Sequence, residues 1–262
     1  MALTLFKSTF IRMERRTAPS LTRGATAPAA TTAIAKLSTQ YNFFLVITKH
    51  PMTERFTEYL PSEVRALIQS TDETATEIRH LLNVTEAGSL LSYIRDHSGQ
   101  ISYDAALLLT TQLAEQLGTI QESVRKVAPF LLPTAIGYIM NNGDGSATPS
   151  PMFMFLAPEG LAPITTETSG ELSYIPDPTN RGFYAPEIQA ITTTTPLPVK
   201  FPITSWLYSL VQLVVFALSK TPDLRTTEDI KKALEPIELT KLGFALARCL
   251  DKTPSERVFL IV

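Results

Sequence analysis

Residues 206–218 form a run of thirteen in which only Ser209 and Gln212 interrupt an apolar sequence that includes Trp206, Leu210, Leu213, Val214 and Leu218. Such a stretch has to be hidden from water, yet it falls short of the ~20 residues a helix needs to cross a bilayer. It therefore predicts a buried central helix, the most enclosed element of a globular core, with the rest of the chain arranged around it. A length of 262 residues is enough for one sizeable core with an appended arm. Charged residues make up 18% of the chain, below the roughly 25% usual for soluble proteins. Much of the surface is therefore neutral and rich in Thr and Pro, which suits contact with other molecules.

Charge divides the chain into an arm, residues 1–40, and a body, residues 41–262. The arm carries Lys7, Arg12, Arg15, Arg16, Arg23 and Lys36 against the single acid Glu14. It is thus near +5, which leaves about −7 for the remainder of a chain whose net charge is −2. Its Thr/Ala/Ser/Pro-rich stretches cannot bury a core of their own. The expectation is an extended arm making few contacts with the body and ordered by a partner. Phe6, Phe10, Ile11 and Met13 are its apolar anchors, and Lys7, Arg12, Arg15 and Arg16 are its contacts to an acidic surface such as tubulin or another cytoskeletal polymer. A basic, Ser/Thr-rich, acid-poor leader is also the composition of a mitochondrial targeting peptide, so the composition leaves both readings open.

The body reads as mainly α with one small β-hairpin. The apolar run 43–48, closed by His50 and Pro51, is strand-like or buried. Residues 61–69 and 73–82 read as short helices, with Ser70 and Glu73 spaced as a capping box. A helix opens at 88–94. Ser102 caps a long helix in which Ala106, Leu109, Leu113, Leu117 and Ile120 recur at helical spacing. Residues 135–140 and 152–156 read as two strands joined by Asn141, Asn142, Gly143, Asp144 and Gly145. Residues 157–202 are mostly irregular, and helices return at 203–219, 227–234 and 239–250.

Several chemistries find no support. His50, His80 and His97 lie far apart without ligand spacing, so no metal site is expected. There is no Gly-x-Ser-x-Gly and no phosphate-binding loop. The single cysteine, Cys249, sits among Phe244, Leu246 and Leu250, where it packs as a small hydrophobe; one cysteine allows no internal disulfide and fits a reducing compartment. Asn83-Val84-Thr85 is a formal glycosylation sequon without a signal peptide to give it meaning. An acidic body and an arm lacking interleaved aromatics argue against nucleic acid, and no segment reads as a membrane anchor. No cofactor is expected.

Five stretches, in order, resemble the large lobe of a protein kinase. Gly88-Ser89-Leu90-Leu91-Ser92-Tyr93-Ile94 is similar to the segment after the kinase hinge. The helix from Ser102 to Gln121 resembles the long helix that precedes the catalytic loop. Gly182-Phe183-Tyr184-Ala185-Pro186-Glu187 resembles the end of an activation segment. Tyr208-Ser209-Leu210 is similar to the Trp-Ser-Leu of the buried central helix, and Cys249-Leu250 through Pro254 to Arg257 resembles the closing Cys-Leu…Pro-x-x-Arg. Each motif is weak alone; their order and spacing over residues 84–262 carry the resemblance.

Phosphoryl transfer requires a phosphate-binding Lys, an Asp to orient the hydroxyl, and Asp and Asn to hold Mg²⁺. Where the resemblance implies the catalytic Asp and Asn, the chain has Val127-Ala128-Pro129-Phe130-Leu131-Leu132-Pro133, without an acid. Where it implies Asp-Phe-Gly, the chain has Ala157-Pro158-Glu159-Gly160. No Gly-rich loop or Val-Ala-Ile-Lys strand precedes these segments, so the expected fold is kinase C-lobe-like and lacks the N-lobe. Such a pseudokinase resembles the kinase non-catalytic C-lobe (KIND) domain, a family that binds peptide segments of other proteins. The resemblance also implies an ion pair between Glu187 and Arg257, and puts Trp206 where kinases carry the Asp that braces the catalytic loop. The expected function is therefore non-catalytic protein binding or a structural role, docked in the cytoplasm on a cytoskeletal or axonemal assembly of a cilium or flagellum. The alternatives are a vestigial nucleotide binder and a mitochondrial protein.

Overall fold

A computed structural model describes residues 11–17, 41–53, 55–97, 99–140, 150–219 and 226–260. Helix α5 (Ser205–Ser219) is buried along almost its whole length, with Leu210, Leu213 and Val214 fully enclosed. α3 (Tyr103–Val124) and α6 (Thr227–Leu234) pack against it, and α2 (Leu90–Asp96) and α7 (Lys241–Arg248) contribute to the same core. The local reasons for these helices lie in the sequence. Ser102 caps α3 by accepting from the Ala105 N–H, Thr226 and Asp229 form a reciprocal capping box on α6, and Thr240 caps α7.

The expectation of a mainly helical body with one hairpin and no sheet-bearing lobe ahead of it is overturned: the fold is mixed α and β, with several antiparallel sheets. Ahead of residue 83, β1 (Ile11–Thr17), β2 (Tyr41–Thr48), β3 (Ile68–Glu73) and β4 (Glu77–Leu82) form a four-stranded antiparallel sheet in the order β1-β2-β4-β3. Only α1 (Ser62–Ala66) remains of the two helices expected over 61–82. The physical reason is a period of two. In β4, Ile78, His80 and Leu82 share the face that carries Leu45 and Ile47 of β2, while Glu77, Arg79 and Leu81 point the other way. The spacing of Ser70 and Glu73 imitates a helix cap, but pairing with β4 decides the outcome.

β1 alternates in the same way. Ile11 and Met13 stand opposite Ile47 and Leu45, and Ile11 is fully buried. The expected arm therefore belongs to the body over residues 11–17, where it is extended but paired along its whole length with β2.

A second sheet, β5 (Glu86–Ser89), β7 (Ile136–Met140) and β8 (Pro151–Phe155), lies between two cores. Tyr138, Phe153 and Phe155 face the helices. Ile139, Met154 and the following Leu156 face the four-stranded sheet, joining Ile11, Leu45, Ile47, Leu82 and the segment Phe56, Leu60 and Val64. Both faces of the sheet are covered, so its strands read as continuous apolar runs. The expected turn between them, with Gly143, Asp144 and Gly145, lies outside the described residues. Two short pairs complete the fold: β6 (Lys126–Val127) with β9 (Ala162–Pro163), and β10 (Ser169–Leu172) with β11 (Val199–Pro202). They add order to 157–202, which also holds α4 (Pro186–Gln189).

Candidate functional site

Three polar devices organise the interior around α5 and β8, and the charged edge of the sheet forms a fourth. The first joins Glu187, in the first turn of α4, to Arg257 near the end of the chain. Both guanidinium nitrogens, Nη1 and Nη2, reach the two carboxylate oxygens, with Nη2 to Oε2 at 3.0 Å. Ser205 Oγ donates to Glu187 Oε1 at 2.7 Å, and Arg257 Nε donates to the Asp251 carbonyl at 2.9 Å. Arg257 is only 2% exposed and lies over the Tyr208 ring at 5.2 Å. Burial pushes the Glu187 carboxyl up, but the hydrogen bonds from Arg257 and Ser205 outweigh it and hold the group below the usual carboxylate range. The resemblance implies this pair, and the structure brings the two residues, seventy positions apart, into contact.

The second device is Ser209 on α5. Its hydroxyl accepts from the Leu131 N–H at 2.6 Å and donates to the Phe183 carbonyl at 2.6 Å. It ties the segment 127–132 and the segment before α4 to the central helix, and the rings of Phe130 and Tyr184 meet at 4.4 Å beside it. The resemblance puts Trp206 where kinases carry the bracing Asp and so implies that the brace is lost; here the Ser209 hydroxyl, one turn further on, holds this segment to α5. Val127, Ala128, Phe130, Leu131 and Leu132 are all buried, which makes this segment part of the core.

The third device was not legible as such. Gln112 and Gln116 on α3 satisfy the open backbone edge of β8. Gln112 Oε1 accepts from the Phe153 N–H and Gln116 Oε1 from the Phe155 N–H, each at 2.7 Å. Gln116 Nε2 donates to the carbonyls of Phe155 and Tyr59 at 3.2 Å. Two side-chain amides thus do what a neighbouring strand would do. The signal in the sequence was faint: two glutamines four apart on a helix otherwise read for its apolar stripe.

Between the two larger sheets lies a cavity of about 280 Å³ lined by Ile11, Met13, Gly88, Ile136 and Leu156, among others, with Arg12 as its one charged residue. Arg12 is already engaged, at 2.8 Å from both Glu14 and Glu77. Glu14 also takes Arg16, and Glu77 also takes Arg79, so a ladder of alternating charge crosses the outer face of the sheet. Val46 lies in register between Arg12 and Arg79 and is fully buried there, as expected where arginine stems cover apolar surface.

Of the partner contacts expected in the arm, Phe6, Lys7 and Phe10 lie outside the described residues. Ile11 is a core residue and Met13 packs half-buried against the same core, which corrects their assignment as free anchors. Arg15 stacks over Tyr41 at 4.0 Å and Arg16 lies 5.8 Å from the Phe44 ring; both are exposed on the sheet edge. Cys249 is enclosed, and burial pushes its thiol up to about 12, consistent with a packing role. Among the described residues no cluster of His, Cys, Asp and Glu is arranged to hold a metal ion, and no helix is long and apolar enough to cross a membrane.

No family model matches the chain, and no curated protein matches its sequence. Fold and site together describe a mixed α/β protein with a buried central helix, an internal ion pair and a basic strand at one sheet edge.

Proposed function

We propose that this chain is a non-catalytic protein-binding module related to protein kinases, held on an acidic partner surface by its basic N-terminal strand. The observation that carries the reading is the burial of Val127, Ala128, Phe130, Leu131 and Leu132. The segment where the resemblance implies a catalytic acid is hydrocarbon packed against α5, and Ser209 pins it there. The roughly 280 Å³ cavity between the sheets has Arg12 as its one charged lining residue, and that cation is committed to two carboxylates. Arg15 and Arg16, exposed on the edge strand, are the groups offered to a partner such as a tubulin-type polymer. The seating of β1 in the sheet favours a retained N-terminal segment over a cleaved targeting peptide, since its loss would strip an edge from the body.

Two measurements test this. A nucleotide binder gains about 2.7 kcal/mol at a ligand concentration one hundred times its Kd, so melting with millimolar Mg·ATP should leave the midpoint unmoved. A rise of several degrees would instead assign the chain to the vestigial nucleotide binders. Co-sedimentation with polymerised tubulin should fall for an Arg15→Glu, Arg16→Glu variant, and undiminished pelleting would remove this edge as the anchor.

A further inference from the structure

We propose that the α6–α7 corner is a self-complementary surface through which two copies of this chain associate. Thr240 is the N-cap of α7, so Leu239 precedes the cap and Phe244 is the fourth helical residue. A large apolar pair at those positions ordinarily closes into a hydrophobic staple. Here it is open: Leu239 is 101% exposed and Phe244 62%.

The opening is built in. A Cβ on Gly243 would lie 2.0 Å from the Ile237 carbonyl oxygen, so only glycine lets the preceding turn press so closely on α7. That turn is fixed by hydrogen bonds from Glu238 N–H to the Glu235 carbonyl at 3.2 Å, and from the N–H and Oγ1 of Thr240 to the Ile237 carbonyl at 2.9 and 2.7 Å. Two large apolar side chains are therefore held outward on a rigid support, the arrangement that gives an interface its energetic centre.

Charges of both signs surround them, and α6 itself ends on the exposed Lys231 and Lys232. Glu235 and Glu238 lie on the turn with Leu239, whereas Lys241 and Arg248 lie on the helix face with Phe244, all exposed. None of these four forms an ion pair among the described residues. In a two-fold contact a residue meets the partner residue that meets it in return. Leu239 then packs on the second copy's Phe244, and the acidic turn of each copy faces the basic helix face of the other. Two apolar side chains per protomer fall well short of the ~800 Å² per partner of a stable interface, so the dimer is weak and concentration-dependent.

Sedimentation equilibrium of the full chain tests this. The wild type should dimerise reversibly as its concentration rises toward roughly 1 mM. Phe244→Asp, at an exposed position, should weaken the dimer at least ~30-fold with an unchanged melting temperature. Glu238→Lys alone should weaken it, and Glu238→Lys combined with Lys241→Glu should restore it, because the swap preserves complementarity between copies. A wild type that stays monomeric throughout, a dimer that Phe244→Asp leaves intact, or a double swap no tighter than the single one overturns the proposal.

Discussion

Arg257 closes on Glu187 from seventy residues away, with both carboxylate oxygens engaged and Ser205 bonded to one of them. The pair ties the end of the chain to α4 and, through Ser205, to the start of the central helix. Breaking one side of a buried pair leaves the other charge uncompensated, at a cost of roughly 3 to 5 kcal/mol. Glu187→Ala should therefore lower stability by that order in urea melts, and Arg257→Ala by a similar amount. A double variant no worse than either single would show that the two residues act as one unit.

The same pair sets an acid limit. The folded-state pKa of Glu187 is lowered, first opposed by burial and then overridden by Arg257 and Ser205. Its contribution is complete above the unfolded carboxylate value of about 4.3 and is lost as pH falls through the lower folded value. Urea melts between pH 3 and 7 should show the wild type losing stability below about pH 4. Glu187→Gln should start lower but fall less steeply.

His80 acts in a different window. It is buried on the core face of β4, with Nδ1 2.9 Å from Thr71 Oγ1, and burial lowers its pKa. The unfolded chain binds a proton near pH 6.5 that the folded chain refuses until lower pH. Stability from the neutral ring is therefore present above about 6.5 and declines as pH falls toward the folded value. His80→Leu should flatten the profile between pH 5 and 7 while leaving the acid loss from Glu187 in place; a profile unchanged by the substitution would clear His80 of the effect.

Ser209 offers a local test. Its loss orphans the buried Leu131 N–H, at about 1–3 kcal/mol, and removes one partner from the part-buried Phe183 carbonyl. Ser209→Ala should destabilise by about that amount and increase amide exchange over 127–132. A variant with wild-type stability would mean that packing alone holds the segment.

The helical half of the fold was legible because its signals are local. Ser102 and Thr240 cap helices from adjacent residues, and the apolar run 206–218 is long enough to announce burial by itself. Of the sheet ahead of residue 83 only β2 showed, as the strand-like run 43–48, because two of the sheet's other signals mislead. Residues 11–17 carry so much charge that the alternation of Ile11 and Met13 with Arg12 and Glu14 is masked. Residues 68–73 are almost wholly exposed edge strand, whose conformation is decided by β4 and not by their own composition. The Glu187–Arg257 contact was readable only through the motif resemblance, since nothing local links the two. The clasp of Gln112 and Gln116 on β8 depends on where a distant strand edge lands, which no spacing along α3 encodes.

The same sheet decides what removal of the N-terminal region would do. An independent arm could be cut away at residue 41 without harm to the body. Here residues 11–17 pair with all eight residues of β2 except Thr48, and Ile11 fills the core between the two larger sheets beside Leu45, Ile47 and Leu156. Fully burying an aliphatic side chain of that size is worth about 1.5–3 kcal/mol, and the loss of β1 also uncovers Val46 and a bare strand edge prone to pairing with other chains. A fragment of residues 41–262 should therefore melt lower than the full chain and aggregate on concentration, whereas Arg15→Glu with Arg16→Glu should cost far less, because the Arg16–Glu14 pair and the Arg15–Tyr41 stack that it removes are exposed. If the fragment melts as the full chain does and stays soluble, β1 is dispensable to the fold and the N-terminal region is an arm after all.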